Sequence, residues 1–126
     1  MEHTDKRVLV VEDDRFLRRA CETSLRQRGL TVLAARDGEE ALRLARAEAP
    51  DLILLDLLMP NLTGLEVLQA LRGAAATRSI PVLILSNSSS PRDVEAIAAL
   101  GVAGYCVKAN LSLQELGDRV TGLLGV

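Results

Sequence analysis

The chain has 126 residues and a mass of 13.5 kDa, which is the size of one ordinary domain. Hydrophobic residues make up 48% of it and charged residues 25%, a composition that argues against intrinsic disorder and favours a globular core. A formal net charge of -2 and only two aromatic residues, Phe16 and Tyr105, argue against nucleic-acid binding, attachment to an anionic membrane and cofactor sites walled by rings.

Five short runs rich in Val, Ile or Leu alternate with segments whose apolar residues recur at helical spacing. The runs are Arg7 to Val11, Leu30 to Ala34, Asp51 to Leu55, Pro81 to Leu85 and Ala103 to Val107. Because the apolar residues in them are continuous instead of alternating with polar ones, the runs predict strands covered on both faces, as in a parallel sheet.

Helix boundaries are marked between these runs. Starts are indicated at Asp37, Thr63, Ser90 and Ser112, and ends at Gly29 and Gly101. The alternation predicts a (βα)5 α/β protein. Because parallel crossovers are right-handed, we expect a doubly wound open parallel five-stranded sheet with helices on both faces.

Polar and charged residues stand where four of the predicted strands end. They are Glu12-Asp13-Asp14 after the first strand, Asp56 after the third, Ser86-Asn87 after the fourth and Lys108 after the fifth. Ligands of open parallel sheets bind outside the carboxyl ends of the strands, where the strand order reverses. The coincidence therefore predicts a functional site at that edge.

The carboxylates among these residues predict a bound cation. Two negative charges about 5 Å apart repel by roughly 3 kcal/mol at an effective dielectric of about 20, so Glu12, Asp13 and Asp56 together require protonation or a cation. Mg²⁺ suits such a set, because it binds oxygen ligands and one or two carboxylates. Asp14 is interpreted instead as the N-cap of the first helix.

Lys108 and Ser86 add an ammonium group and a hydroxyl to this edge of the sheet. Lys108 either pairs with Asp56 structurally or holds a phosphoryl oxygen, and Ser86 either begins a polar loop or donates a hydrogen bond to the same group. A metal-binding acidic pair, a nucleophilic carboxylate, a hydroxyl and a lysine are the parts that phosphoryl transfer needs. We interpret the set as a site for Mg²⁺-dependent phosphorylation of Asp56.

Together these motifs resemble the receiver domain of two-component response regulators, of the chemotaxis-type single-domain kind. The resemblance is carried by Val10 to Asp14, Asp56 to Pro60 with Gly64, Ser86, and Tyr105 to Lys108, in that order and over essentially the whole chain. It implies a flavodoxin-like strand order 2-1-3-4-5. It also implies a protein that accepts a phosphoryl group from a phosphohistidine and switches a protein-interaction surface.

The resemblance implies a role for each residue of the metal site. Asp56 would be the phosphoacceptor. Asp13, Asp56 and the backbone carbonyl of Leu58 would ligate Mg²⁺, and Glu12 would reach the ion through water.

Three further residues receive roles from the same resemblance. Lys108 would hold one phosphoryl oxygen, and Ser86 would move to hydrogen-bond another. Tyr105 would turn inward when Ser86 moves and so remodel the surface formed by the fourth helix, fifth strand and fifth helix.

Two positions depart from the usual receiver pattern. Receivers usually have a proline after the lysine, preceded by a cis peptide, whereas this chain has Ala109. A cis bond before alanine would cost about 3 kcal/mol, so either the peptide is trans and the loop repacks, or strain is stored there. The residue after the hydroxyl is usually small, but here it is Asn87, and we expect altered dephosphorylation.

We expect residues 1–126 to form a single receiver domain without an output domain. It would act through a sensor histidine kinase or histidine phosphotransfer protein and a downstream protein target, with no nucleic acid or membrane partner of its own. A homodimer is left open. The chain would not be an enzyme, beyond catalysing its own phosphoryl transfer and autodephosphorylation.

Cys21 and Cys106 lie in apolar surroundings without metal-ligand spacing, which predicts reduced core thiols. No segment is apolar over the length that a bilayer requires, so we expect a cytoplasmic protein. The alternative is a receiver-like protein-interaction module that is not regulated by phosphorylation.

Overall fold

The structure, a computed structural model, describes residues 5–87 and 90–126 as alternating strands and helices. The strands are β1 (Arg7–Val11), β2 (Thr31–Ala35), β3 (Leu52–Asp56), β4 (Val82–Ser86) and β5 (Gly104–Val107). The helices are α1 (Arg15–Arg26), α2 (Gly38–Glu48), α3 (Gly64–Gly73), α4 (Pro91–Leu100) and α5 (Leu113–Leu124). The predicted (βα)5 succession is confirmed.

The strands form one parallel sheet in the order β2-β1-β3-β4-β5. The predicted doubly wound, flavodoxin-like topology is therefore confirmed. The order reverses around β1, which has β2 on one side and β3 on the other. The carboxyl ends of β1 and β3 thus lie side by side at the point where ligands of such sheets bind.

Apolar side chains cover the sheet on both faces, which accounts for the continuous hydrophobic runs in the sequence. Successive strand residues point to opposite faces, and Leu9 and Ile53 join one buried cluster whereas Val8 and Leu52 join the other. Helices α2, α3 and α4 pack on the first face, and α1 and α5 on the second. Full burial of each such leucine contributes roughly 1.5–3 kcal/mol to folding.

The two cysteines lie in this core as free thiols, as predicted. Cys21 of α1 is 1% exposed and Cys106 of β5 is 3% exposed. Burial raises the pKa of the Cys21 thiol to about 11, and it also raises the pKa of Cys106. Both side chains therefore remain uncharged at neutral pH and serve as small apolar residues.

The helix starts follow the predicted capping signals, with one difference. Thr63 and Ser112 each form a full capping box with the glutamate three residues on. Asp37 accepts from the backbone N–H of Glu40, but the Glu40 carboxylate accepts from the N–H of Arg36, one residue before the cap. The box at α2 is therefore displaced by one residue.

Strand boundaries agree with the predicted apolar runs to within one residue, and two of them affect the site. The apolar runs end at Leu55 and Leu85, and the third and fourth strands include the polar residue that follows each run, Asp56 and Ser86. Asp56 pairs with Leu85 in the ladder, and Ser86 pairs with Val107. These two polar residues are therefore held by the sheet itself and not by a loop.

Candidate functional site

Three carboxylates converge at the carboxyl edge of the sheet, as the sequence predicted. Glu12 and Asp13 follow β1, and Asp56 is the last residue of the adjacent β3. One carboxylate oxygen from each lies within 4.8 Å of the others. Glu12 is 2% exposed and Asp56 3% exposed, whereas Asp13 is open to solvent. The cluster is thus half embedded in the protein and open on the Asp13 side.

Lys108 balances the charge of the two buried carboxylates. Its Nζ lies 2.5 Å from Oε1 of Glu12 and 3.1 Å from Oδ2 of Asp56. The pairing of Lys108 with Asp56, one of the two roles that the sequence left open, is present, and the shorter contact with Glu12 was not foreseen from the sequence. The ammonium therefore bridges the ends of β1 and β3 from the loop after β5.

The environment shifts the pKa of three of these groups. Burial raises the pKa of Glu12, opposed by its hydrogen bond from Lys108, and burial together with the nearby Glu12 raises the pKa of Asp13. Burial alone would lower the pKa of Lys108, but its hydrogen bonds to Glu12 and Asp56 raise the pKa above its ordinary value. Lys108 therefore stays protonated at neutral pH.

Hydrogen bonds between side chains and the backbone hold the acidic loop after β1. The Asp14 N–H donates to Oε2 of Glu12 at 3.3 Å, and the Asp14 side chain caps α1, as predicted. The Arg18 guanidinium donates to the backbone carbonyls of Glu12 at 2.8 Å and Asp13 at 3.3 Å. Arg18 is a residue that the sequence did not single out. Its position one turn after the acidic loop is the signal that could have identified it.

The loop after β3 is shaped around Asp56. The Leu58 N–H donates to Oδ1 of Asp56 at 3.3 Å, while the Leu58 side chain is 63% exposed. The Gly64 N–H donates to the carbonyl of Leu57 at 2.9 Å. A Cβ on Gly64 would lie 2.4 Å from the carbonyl oxygen of Asp56, so no larger residue fits without displacement of the backbone. This close approach explains the glycine of the motif.

The hydroxyl and aromatic residues of the sequence motif lie on neighbouring strands. Ser86 is fully buried at the end of β4. Tyr105 lies on β5, opposite Ile84 of β4, and is half-buried against the core cluster on the α2, α3 and α4 face. The sheet thus places Ser86 beside the strand that carries Tyr105 and leads to Lys108.

The peptide between Lys108 and Ala109 is trans, because no cis peptide occurs in the part of the chain that the structure describes. Of the two alternatives that the sequence left open, the trans peptide is therefore the one found. Residues Lys108–Asn110 form a single 3-10 turn. The Ala109 N–H donates to the side-chain carbonyl of Asn87 at 2.9 Å.

Two further features of the described residues bear on function. A groove of about 270 Å³ lies beside the site, between the loop after β3 and helix α4, and its lining includes Leu57, Leu58 and Ile97. Among the described helices, none has the length and apolar character needed to cross a membrane.

Comparison with known proteins assigns the family. Residues 8–121 match the family described as the response regulator receiver domain. The chain is 45% identical over 121 residues to the transcriptional regulatory protein PrrA of Mycobacterium tuberculosis, covering 96% of this chain and 51% of PrrA. It is 40% identical over 124 residues to the probable transcriptional regulator ycf27 of Cyanophora paradoxa, covering 98% and 50%. The chain thus spans about half the length of these relatives.

Solved structures agree with this assignment. The chemotaxis protein CheY4 of Vibrio cholerae superposes with a TM-score of 0.87 at 30% identity, covering 95% of this chain and 99% of CheY4. The receiver domain of the Francisella response regulator 1452 gives a TM-score of 0.84 at 33% identity, covering 96% and 98%. These matches do not favour the alternative of a receiver-like protein-interaction module that is not regulated by phosphorylation. The chain belongs to the receiver domain family of two-component response regulators.

Proposed function

We propose that Asp56 is the phosphoacceptor of this receiver. The observation that carries the proposal is the position of its carboxylate. It is 3% exposed at the end of a central strand, within 4.8 Å of two other carboxylates and 3.1 Å from an ammonium group. A carboxylate oxygen attacks the phosphorus of a phosphohistidine, the phosphorus–nitrogen bond breaks, and an aspartyl phosphate forms while the histidine nitrogen takes up a proton.

The acidic cluster fits a divalent cation. Glu12, Asp13 and Asp56 offer hard oxygen donors, and Lys108 already supplies one positive charge to the two buried members. We propose that Asp13, Asp56 and the Leu58 carbonyl hold Mg²⁺, with Glu12 as a ligand through water. When bound, the ion would neutralise charge on the phosphoryl oxygens during transfer.

Two donors complete the proposed site. Lys108 would transfer its hydrogen bonds from carboxylate to phosphoryl oxygen, since its ammonium already lies 3.1 Å from an Asp56 oxygen. Ser86 would donate to another phosphoryl oxygen. A phosphoryl group that draws Ser86 toward it changes packing beside Tyr105, and this is the proposed route from the site to the protein surface.

Receiver domains accept phosphoryl groups from histidine kinases and act on downstream partners, and they do not turn over a separate substrate. For this chain we propose a histidine kinase or histidine phosphotransfer protein as the donor, a protein as the target, and autodephosphorylation as the reset. We also propose a cytoplasmic location. The relatives PrrA and ycf27 are named as transcriptional regulators, but the chain matches only about half of each.

The proposal is tested with a small phosphodonor such as acetyl phosphate. The chain is incubated with the donor and Mg²⁺, and its intact mass is measured. We expect one added phosphoryl group, none without Mg²⁺, and none in Asp56→Asn. Asp93→Asn is the matched control, because Asp93 lines the adjacent groove and its loss should leave the adduct unchanged. An unmodified wild type, or an adduct that persists in Asp56→Asn, would contradict the proposal.

A further inference from the structure

The loop that carries Lys108 is tied to the end of β4 by one side chain. The Ala109 N–H donates to the side-chain carbonyl oxygen of Asn87 at 2.9 Å. The two residues are 22 positions apart in the sequence, and both are exposed. The bond therefore joins two loops that only the sheet brings together.

The register of the sheet explains where this bond forms. Strands β4 and β5 pair in parallel, and their last partners are Ser86 and Val107. Asn87 and Lys108 are the next residues after these two strands, just beyond the last hydrogen-bonded pair of the ladder. The Asn87 amide thus supplies an acceptor at the point where backbone pairing between the strands has stopped.

Both polar groups of the Lys108–Ala109 peptide are hydrogen-bonded. Its N–H donates to Asn87, and its carbonyl oxygen, on Lys108, accepts from the N–H of Leu111 at 3.4 Å within the 3-10 turn. Because a peptide unit is planar, it cannot rotate without breaking at least one of these bonds. The two bonds therefore fix the backbone from which the Lys108 side chain leaves.

We propose that Asn87 is a positioning residue whose side-chain carbonyl clamps the Lys108–Ala109 peptide and so aims the Lys108 ammonium at the phosphorylation site. The inference rests on the proposed function, because the aim of Lys108 matters only where it holds a phosphoryl oxygen. Asn87 also directly follows the buried Ser86. The clamp thus holds the hydroxyl and the ammonium in one framework.

The clamp gives a single cause to the two departures of this chain from the receiver pattern. A proline at position 109 would have no N–H to donate, and a small apolar residue at position 87 would have no oxygen to accept. Ala109 and Asn87 supply the two halves of one hydrogen bond. The residue at each of these two positions is therefore explained by its hydrogen bond to the other.

The test uses three variants. Asn87→Leu keeps the approximate size of the side chain and removes the acceptor, and Asn87→Asp keeps an acceptor oxygen. Asn110→Leu is the matched control, since it makes the same change at an exposed asparagine of the same turn. Three quantities are measured: the affinity for Mg²⁺ alone, the affinity for beryllofluoride in saturating Mg²⁺ as a phosphoryl mimic, and the hydrogen-exchange rate of the Ala109 amide.

For Asn87→Leu we expect beryllofluoride affinity to fall roughly three- to tenfold, which corresponds to the loss of one hydrogen bond. The Ala109 amide should exchange faster by a similar factor, and Mg²⁺ affinity should stay within about twofold, because Asn87 is not among the proposed ligands. Asn87→Asp should retain the protection of the Ala109 amide, and Asn110→Leu should match the wild type in all three measurements.

Two outcomes overturn the inference while leaving the proposed function intact. One is wild-type behaviour of Asn87→Leu in both beryllofluoride affinity and Ala109 exchange. The other is an equal loss in Asn110→Leu. A wild-type chain that binds no beryllofluoride in the presence of Mg²⁺ contradicts the proposed function itself and removes the positioning role with it.

Discussion

Replacement of Lys108 by methionine tests how the charges of the site are balanced. The ammonium lies 2.5 Å from Glu12 and 3.1 Å from Asp56, and both carboxylates have side chains only 3% exposed. At an effective dielectric of about 20 these contacts correspond to roughly 7 and 5 kcal/mol of attraction before desolvation is subtracted. Loss of one partner from a buried ion pair costs about 3–5 kcal/mol in measured cases, because the remaining charge has no counterion.

Without Mg²⁺ we therefore expect Lys108→Met to lower the free energy of unfolding by about 3 kcal/mol, near the lower end of that range because 19% of the Lys108 side chain is exposed. Methionine keeps the apolar part of the side chain, so the decrease in the free energy of unfolding measures the effect of removing the charge. Saturating Mg²⁺ should reduce the deficit to about 1.6 kcal/mol or less, because a tenfold higher Mg²⁺ affinity of the variant stabilises its native state by about 1.4 kcal/mol more than that of the wild type.

The assay is urea unfolding followed by circular dichroism, in EDTA and in saturating Mg²⁺. Arg43→Met is the control, since it removes one positive charge from an exposed position of α2. Lys108→Met should also bind Mg²⁺ at least tenfold more tightly than the wild type, because the ammonium that competes for the carboxylates is gone. Equal stability of Lys108→Met and wild type in EDTA, or a deficit that Mg²⁺ leaves unchanged, would refute the reasoning.

Three further predictions concern other parts of the fold. Gly64→Ala should lower the free energy of unfolding by about 2 kcal/mol or more in urea, because its Cβ would lie 2.4 Å from the backbone oxygen of Asp56. Arg18→Met should weaken Mg²⁺ binding roughly three- to tenfold in a titration, since it removes the hydrogen bonds to the carbonyls of Glu12 and its neighbour. Stability should fall as pH rises from about 9 to about 11, because the Cys21 thiol loses its proton sooner in the unfolded chain. Urea unfolding across that range should show a smaller fall in Cys21→Ala, and an identical fall would exclude this cause.

The fold could be predicted from the sequence because its main determinant is the distribution of apolar residues along the chain. Continuous apolar runs predict strands buried on both faces, and the chirality of crossovers then leaves few topologies. The boundaries were less certain for a physical reason. Hydrophobicity ends at Leu55 and Leu85, but the hydrogen-bonded ladder continues for one more residue to Asp56 and Ser86.

The composition of the site was also predictable, but its contacts were not. The ends of parallel strands meet at one edge, so the sequence places Glu12, Asp56 and Lys108 in the same region. Which of them form hydrogen bonds depends on side-chain rotamers across a separation of 96 residues between Glu12 and Lys108, and hydrophobic spacing contains no information about those rotamers. The same holds for the hydrogen bond between Asn87 and Ala109, which the sequence presents as two unrelated departures.

The contacts of Lys108 link phosphorylation of Asp56 to cation binding in the acidic cluster. In the structure its ammonium is shared between Glu12 and Asp56, and the shorter contact is to Glu12. A phosphoryl group on Asp56 would add negative charge on one side only and would draw the ammonium away from Glu12. Glu12 is buried, so without this counterion its carboxylate either takes up a proton or is neutralised by a cation in the acidic cluster. Binding of Mg²⁺ and retention of the phosphoryl group should therefore favour each other, and the loop clamped by Asn87 determines how far Lys108 moves between the two states.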